Sequence, residues 1–187
     1  AVEKYNLLQQ HVLIKKDVLL FDINSYGFHS NGYSLIRKII KDQNIQLNKV
    51  PEFNSNYDST GDALMAPTAL YYPFLKELIK SQLITGISHI TGGGVLGNIP
   101  RMLPKHLNAT IHKDKINPNA IFEWLQKIGN ITDTEMLKTF NCGLGVVLSV
   151  QKNNYKNFIN TILDKNLPIF EIGHIDDVKI NDRCQVI

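Results

Sequence analysis

A short apolar run, Gly86 to Ile90, reads as a strand, and three glycines, Gly92, Gly93 and Gly94, follow it after a single threonine. A strand that ends in residues without a Cβ must open into a turn of bare backbone. Amide N–H groups there can approach an anion closely. If Val95 to Ile99 form a helical turn, its positive dipole end is added at the same spot. Arg101 supplies a cationic fork that could close the pocket. A tight surface turn fits the three glycines as well as an anion cradle does.

A second stretch of the same design occurs upstream. Residues 17–24 (Asp-Val-Leu-Leu-Phe-Asp-Ile-Asn) read as a strand buried on both faces. The polar loop Gly27-Phe28-His29-Ser30-Asn31-Gly32 follows. Ser30 is placed to cap a helix running to about Asp42, and Leu35, Ile36, Ile39 and Ile40 on one side of it pack on the sheet. The loop offers Ser30 and Asn31 as hydrogen-bonding groups, and His29 as a group that changes charge near neutral pH. Taken alone, His29 reads as a loop histidine satisfied by backbone rather than as a catalyst. Thr68 either points its hydroxyl at a ligand or serves a turn.

The remaining chain alternates helices and strands. Residues 1–16 hold a possible edge strand, and residues 43–62 are a polar surface loop. Helices are expected over 72–82, 118–129, a short piece from a Thr132-Asp133-Thr134-Glu135 capping box, and 154–165. Tyr155, Phe158, Ile159, Ile162 and Leu163 mark the buried face of the last. Trp124 falls in register with an apolar face and reads as core. Strands are expected over 108–112, 146–150, 169–175 and within 178–187. The strand–helix–strand unit from 146 to 175 is a crossover with parallel strands.

With 187 residues, 43% apolar and 20% charged, the chain holds one good core. No linker divides it, so residues 1–187 are read as one domain. A formal net charge of +3 is too mild to indicate nucleic acid. No apolar run approaches the roughly 20 residues that cross a bilayer, and no signal peptide is visible, so no membrane partner is expected. Two cysteines, Cys142 and Cys184, suggest no disulfide framework and a reducing, cytoplasmic setting. No zinc spacing, Walker pattern or Gly-x-Ser-x-Gly occurs, and no acidic pair suited to Mg-ATP is found, so no metal ligands are assigned. The chain opens at Ala1 without an initiating Met, as a piece of a longer polypeptide would. From the residues alone the reading is an α/β domain whose Gly-rich loops converge on an anionic ligand.

Five motifs, in order, carry a resemblance: Gly27 to Leu35; Pro67-Thr68; His89 to Gly94 with Asn98-Ile99-Pro100-Arg101; Trp124-Leu125; and Thr139 to Gly145. Together they closely resemble the C-terminal half of the phosphoribosylformylglycinamidine cyclo-ligases, or aminoimidazole ribonucleotide synthetases. The resemblance covers essentially the whole chain. It implies an α+β fold, a mixed β-sheet with helices packed on it. It implies a reaction of purine biosynthesis that uses ATP and Mg2+, held mainly by an N-terminal half not present here. It also implies a phosphorylated small-molecule substrate, an N-terminal partner domain and a homodimeric full-length enzyme. His29 is then the candidate for proton handling. Ser30, Asn31, Gly32, Thr68, Thr91, Gly92, Gly93, Gly94 and Arg101 are candidates for substrate or phosphate binding, with His89 and Asn98 supporting the glycine loop. Ala69 stands where an Arg often follows Pro-Thr, Gly97 where a Glu usually precedes the Asn, and Lys138 replaces a frequent Arg. Related superfamily enzymes (formylglycinamidine ribonucleotide synthetase, selenophosphate synthetase, thiamine-phosphate kinase) and a non-catalytic binding module are the alternatives. Under every enzymatic reading the loops around His29 and Gly93 share one cleft.

Overall fold

The computed structural model describes residues 13–178 and 183–187. Six strands form one sheet: β1 (Val18–Asn24), β2 (Gly86–His89), β3 (Leu107–Ile111), β4 (Leu144–Val150), β5 (Ile169–Asp177) and β6 (Cys184–Val186). Their order is β2-β4-β1-β5-β3-β6. All pairings are antiparallel except β3 with β6. The architecture is therefore the expected mixed-sheet α+β fold. The crossover expected between β4 and β5 is present in modified form. Both strands run antiparallel to β1 and so parallel to each other, but β1 lies between them.

The two faces of β1 follow from strand alternation. Val18 and Leu20 face one core, where α4 (Gly94–Met102) lays Val95, Ile99 and Met102 over the sheet. Phe21 and Ile23 face a second core under α3 (Tyr72–Lys80) and α7 (Tyr155–Asp164). Phe21 meets Phe158 there at a centroid distance of 4.7 Å. Leu163, expected on the buried face of α7, is 70% exposed; Phe158 and Ile162 carry that face.

A third apolar cluster contains no strand residue. It joins Ile36 and Ile39 of α1 (Tyr33–Asp42) to α2 (Thr60–Leu64), α5 (Ala120–Ile128) and α6 (Asp133–Thr139), around Phe28 and Phe140. So α1 packs on other helices rather than on the sheet, because its stripe meets the apolar faces of α5 and α6 first. Trp124 lies in this cluster, its ring tilted against that of Phe53 at a centroid distance of 5.0 Å. Helix α2 starts inside the stretch read as loop, capped by Ser59, whose Oγ accepts the Asp62 N–H at 3.1 Å. Thr132 caps α6 as its capping-box spacing requires, with its hydroxyl accepting from Glu135 N–H. The edge strand expected within 178–187 is β6. The one expected at 1–16 lies almost wholly outside the described residues.

Candidate functional site

The loops after β1 and β2 come together at one end of the sheet. His29 Nδ1 lies 3.3 Å from the carbonyl of Ile90. A Cβ built on Gly92 would stand 3.8 Å from Asn31 Oδ1. His29 and the glycine loop thus stand side by side.

The glycine loop is shaped by backbone. Gly93 (φ 99) and Gly94 (φ 60) both occupy the left-handed region, which suits glycine. A Cβ on Gly94 would collide with the Leu137 carbonyl of α6, so the close approach of α4 to α6 also demands glycine. Asn98, one turn into α4 and buried, donates its amide to the carbonyls of Gly94 at 2.8 Å, Thr91 at 3.1 Å and Gly92 at 3.3 Å. Thr91 returns a hydroxyl to Asn98 Oδ1 at 3.3 Å. With these carbonyls turned inward, no acceptor among the described residues takes the N–H of Gly92 or Gly93. Arg101 is exposed, and its Nη2 lies 3.6 Å from where a Gly93 Cβ would stand. Bare amides, a helix N-terminus and a guanidinium make a site suited to phosphate oxygens.

The other loop is shaped by side chains. Phe28 is buried against Phe122 at 4.5 Å and Phe140 at 5.1 Å. Asn141, fully buried, donates to the Gly27 carbonyl at 2.9 Å, tying residues 139–145 to the loop. His29 (φ 55) turns the chain, and α1 begins only at Tyr33, with Gly32 in the N-cap position at φ 72. Ser30 is therefore not the helix cap; it is exposed on the rim. Gly32 sits against the Phe140 ring, where a side chain would overlap it. Thr68 is exposed, and no hydrogen bond among the described residues ties it to either loop.

Three residues that were not assigned to the site complete it. Tyr71, just ahead of α3, places its hydroxyl 2.8 Å from His29 Nε2. That hydroxyl stands directly over Gly145, where any Cβ would overlap it. The Gly145 N–H donates to Asp22 Oδ1 at 3.0 Å, and Asp22 is 0% exposed, with Oδ2 lacking a partner among the described residues. Burial holds the Asp22 carboxyl well above the usual range, outweighing the bonds from Gly145 and Ile23. The third is Asn141. The sequence signal for Asp22 was an acid inside an otherwise apolar strand. Nothing in the spacing announces Tyr71.

A cavity of about 630 Å3 is lined by Tyr26, residues 53–57 and 119–121, and Ala63, and contains none of the expected site residues. Among the described residues no group of three His, Cys, Asp or Glu stands together as metal ligands. The buried Asp22 is sealed from solvent. Among the described residues, Asp22 is thus not placed to reach a metal from the surface. Both cysteines are free thiols, each pushed up to about 12 mainly by burial. No described helix is long and apolar enough to cross a membrane.

Comparison with known proteins matches residues 17–182 to the family described as AIR synthase related protein, C-terminal domain. A phosphoribosylformylglycinamidine cyclo-ligase of Geotalea uraniireducens is 40% identical over 166 residues, covering 88% of this chain and 47% of that protein. One from Lactobacillus delbrueckii subsp. bulgaricus is 38% identical, covering 95% and 50%. The bifunctional purine biosynthetic protein ADE1 of Schizosaccharomyces pombe is 34% identical over 100% of this chain and 24% of that protein. The chain thus spans about half the length of the cyclo-ligases it matches. Among solved structures, thiamine-monophosphate kinase from Stenotrophomonas maltophilia superposes with TM-score 0.62 at 13% identity, covering 99% of this chain and 54% of that one. Hydrogenase maturation protein HypE gives 0.57 at 11%, covering 93% and 51%. These share the fold. By sequence, the chain belongs to the AIR synthase related protein C-terminal domain family.

Proposed function

We propose that this chain is the C-terminal half of an ATP-dependent cyclo-ligase that converts formylglycinamidine ribonucleotide to aminoimidazole ribonucleotide, acting in the cytoplasm. The observation that carries the reading is the paired rim: the 91–94 amides and Arg101 on one side, Ser30 and Asn31 on the other. That rim suits the phosphate of a ribonucleotide, with Gly92 and Gly93 N–H groups and Arg101 as its donors. Gly32 leaves room for the Phe140 ring behind the Asn31 side. The expected chemistry moves the γ-phosphoryl group of ATP to the formamide oxygen. A substrate nitrogen then attacks the activated carbon, and phosphate leaves. This needs neutralised charge and a fixed, dry substrate.

Mg2+ and most of the nucleotide contacts are assigned to an N-terminal half, a reading supported by the lack of a three-carboxylate cluster among the described residues. The homodimer of the full-length enzyme is part of the same proposal. Proton handling is assigned to the histidine pair His29 and His89, whose rings lie 5.4 Å apart. The kinase reading rests on fold alone, whereas relatives at 34–40% identity favour the cyclo-ligase.

The test is to mix the chain with a separately made N-terminal half. ADP release dependent on both ATP and formylglycinamidine ribonucleotide is expected. Calorimetry of the chain alone should show only weak Mg-ATP binding and no hydrolysis. Two folded halves with no joint turnover, or tight Mg-ATP binding by this chain alone, would overturn the assignment.

A further inference from the structure

The rings of His29, Tyr71 and His89 form a closed triangle, with centroids 5.4, 5.6 and 5.8 Å apart. Their chemical situations differ. His29 is 6% exposed, and the protein already engages both its ring nitrogens. A backbone carbonyl can only accept, so the nitrogen facing Ile90, Nδ1, carries the hydrogen. In the neutral ring Nε2 is then the acceptor, and the Tyr71 hydroxyl donates to it. Tyr71 keeps that proton: burial first, and then the charges of Asp22 and Tyr26, push its ionisation upward. His89 ends β2, two residues before Thr91, and is exposed. Its ring has no hydrogen bond among the described residues.

We propose that His89 is the histidine that meets the substrate and moves the proton, and that Tyr71 is a positioning residue that locks His29 as a neutral support behind it. This rests on the cyclo-ligase reading and divides the labour within its histidine pair. As the ring-closing C–N bond forms, the N–H bond of the attacking nitrogen breaks. Its electron pair stays on nitrogen and its proton goes to the open nitrogen of His89. The C–O bond to the phosphorylated oxygen then breaks, phosphate leaves with that electron pair, and His89 returns the proton to water through its exposed edge.

The groups facing the pair favour this division. His29 faces Tyr71 and His89, with Asp22 behind Gly145. Burial, against the raising effect of the Ile90 carbonyl, lowers the His29 pKa, and a charge on His89 lowers it further. A proton on one ring opposes a proton on the other. Burial also lowers His89, which leaves it neutral and ready to accept.

Nitrogen-15 NMR of the imidazole rings tests the lock on this chain without substrate. From about pH 5 to pH 8, His29 should stay the Nδ1–H tautomer while His89 titrates. Tyr71→Phe should free His29 to sample both tautomers. A His29 that titrates in the wild type, or rests as Nε2–H, overturns the lock. Added ribose 5-phosphate should move the His89 signals and leave those of His29 in place; an unmoved His89 overturns its contact with substrate. In the two-half assay, His89→Asn should lower kcat at least about 100-fold. Tyr71→Phe should shift the acid limb of the kcat/KM profile at nearly constant KM. Full turnover with an unchanged profile in His89→Asn overturns the catalytic assignment. A wild-type mixture without turnover sinks the cyclo-ligase reading instead, and the NMR outcome still stands or falls alone.

Discussion

The two neighbouring loops that form the rims of the candidate site are built in opposite ways. Residues 91–94 are held by one side chain, Asn98, that gathers three carbonyls of the loop itself. Residues 25–32 are held by distant groups: Phe140, Asn141, Tyr71 and the Gly143 carbonyl that accepts from Ser25 N–H at 2.8 Å. The first rim is held mainly from within by α4, with α6 packed against Gly94. The second exists only once β4, α6 and the start of α3 are in place. A phosphate site can thus be local, while the group that positions a reacting centre is tied to the whole core.

The largest break in this contrast comes from Phe28→Ala. Phe28 is 1% exposed between two rings, so its loss should cost about 3–5 kcal/mol of unfolding free energy in urea. Hydrogen exchange should rise over 25–32 and stay unchanged at 91–94; equal loosening of both would remove the distinction. Asn98→Ala acts on the other rim. It strands buried carbonyls at a cost of about 1–3 kcal/mol and should weaken ribose 5-phosphate binding while leaving the His29 ring signals in place. A variant that binds the phosphate as well as wild type would show that the loop holds its own shape.

The smallest effect sharpens the contrast through pH. Asp22 has a raised folded-state pKa, so the folded chain binds its proton more tightly than the unfolded chain does. Its contribution to stability is full below the unfolded value of about 4. It then falls as pH rises toward the folded value, by up to about 1.4 kcal/mol per pH unit. Asp22→Asn keeps an uncharged group there and should flatten that slope. Urea titrations giving parallel slopes for the two proteins would place Asp22 as an ordinary ionised acid.

Much of this was legible beforehand because it depends on local pattern. The 3.6-residue stripes located α1, α3, α5 and α7, and a capping box located α6, whereas α2 was hidden in a polar stretch. The run of β-branched and aromatic residues in 17–24 located β1, and the three glycines marked where backbone must come close. What escaped depends on pairs distant in sequence. Ser30 looked like a cap, but the turn at His29 and the packing of Gly32 under Phe140 move the helix start to Tyr33. The stripe of α1 showed that it packs, not on what. Tyr71 enters the site only because the sheet sets Gly145 beneath it, a contact no spacing encodes.

The position of β1 between β4 and β5 has a consequence for biosynthesis. Asp22 and its partner Gly145 are 123 residues apart, and both neighbours of β1 come from the later part of the chain. During translation this strand leaves the ribosome before either of its neighbours and waits with two open edges. Such a segment invites pairing with other chains. A ribosome stalled before β4 therefore presents an aggregation hazard that a chaperone must cover.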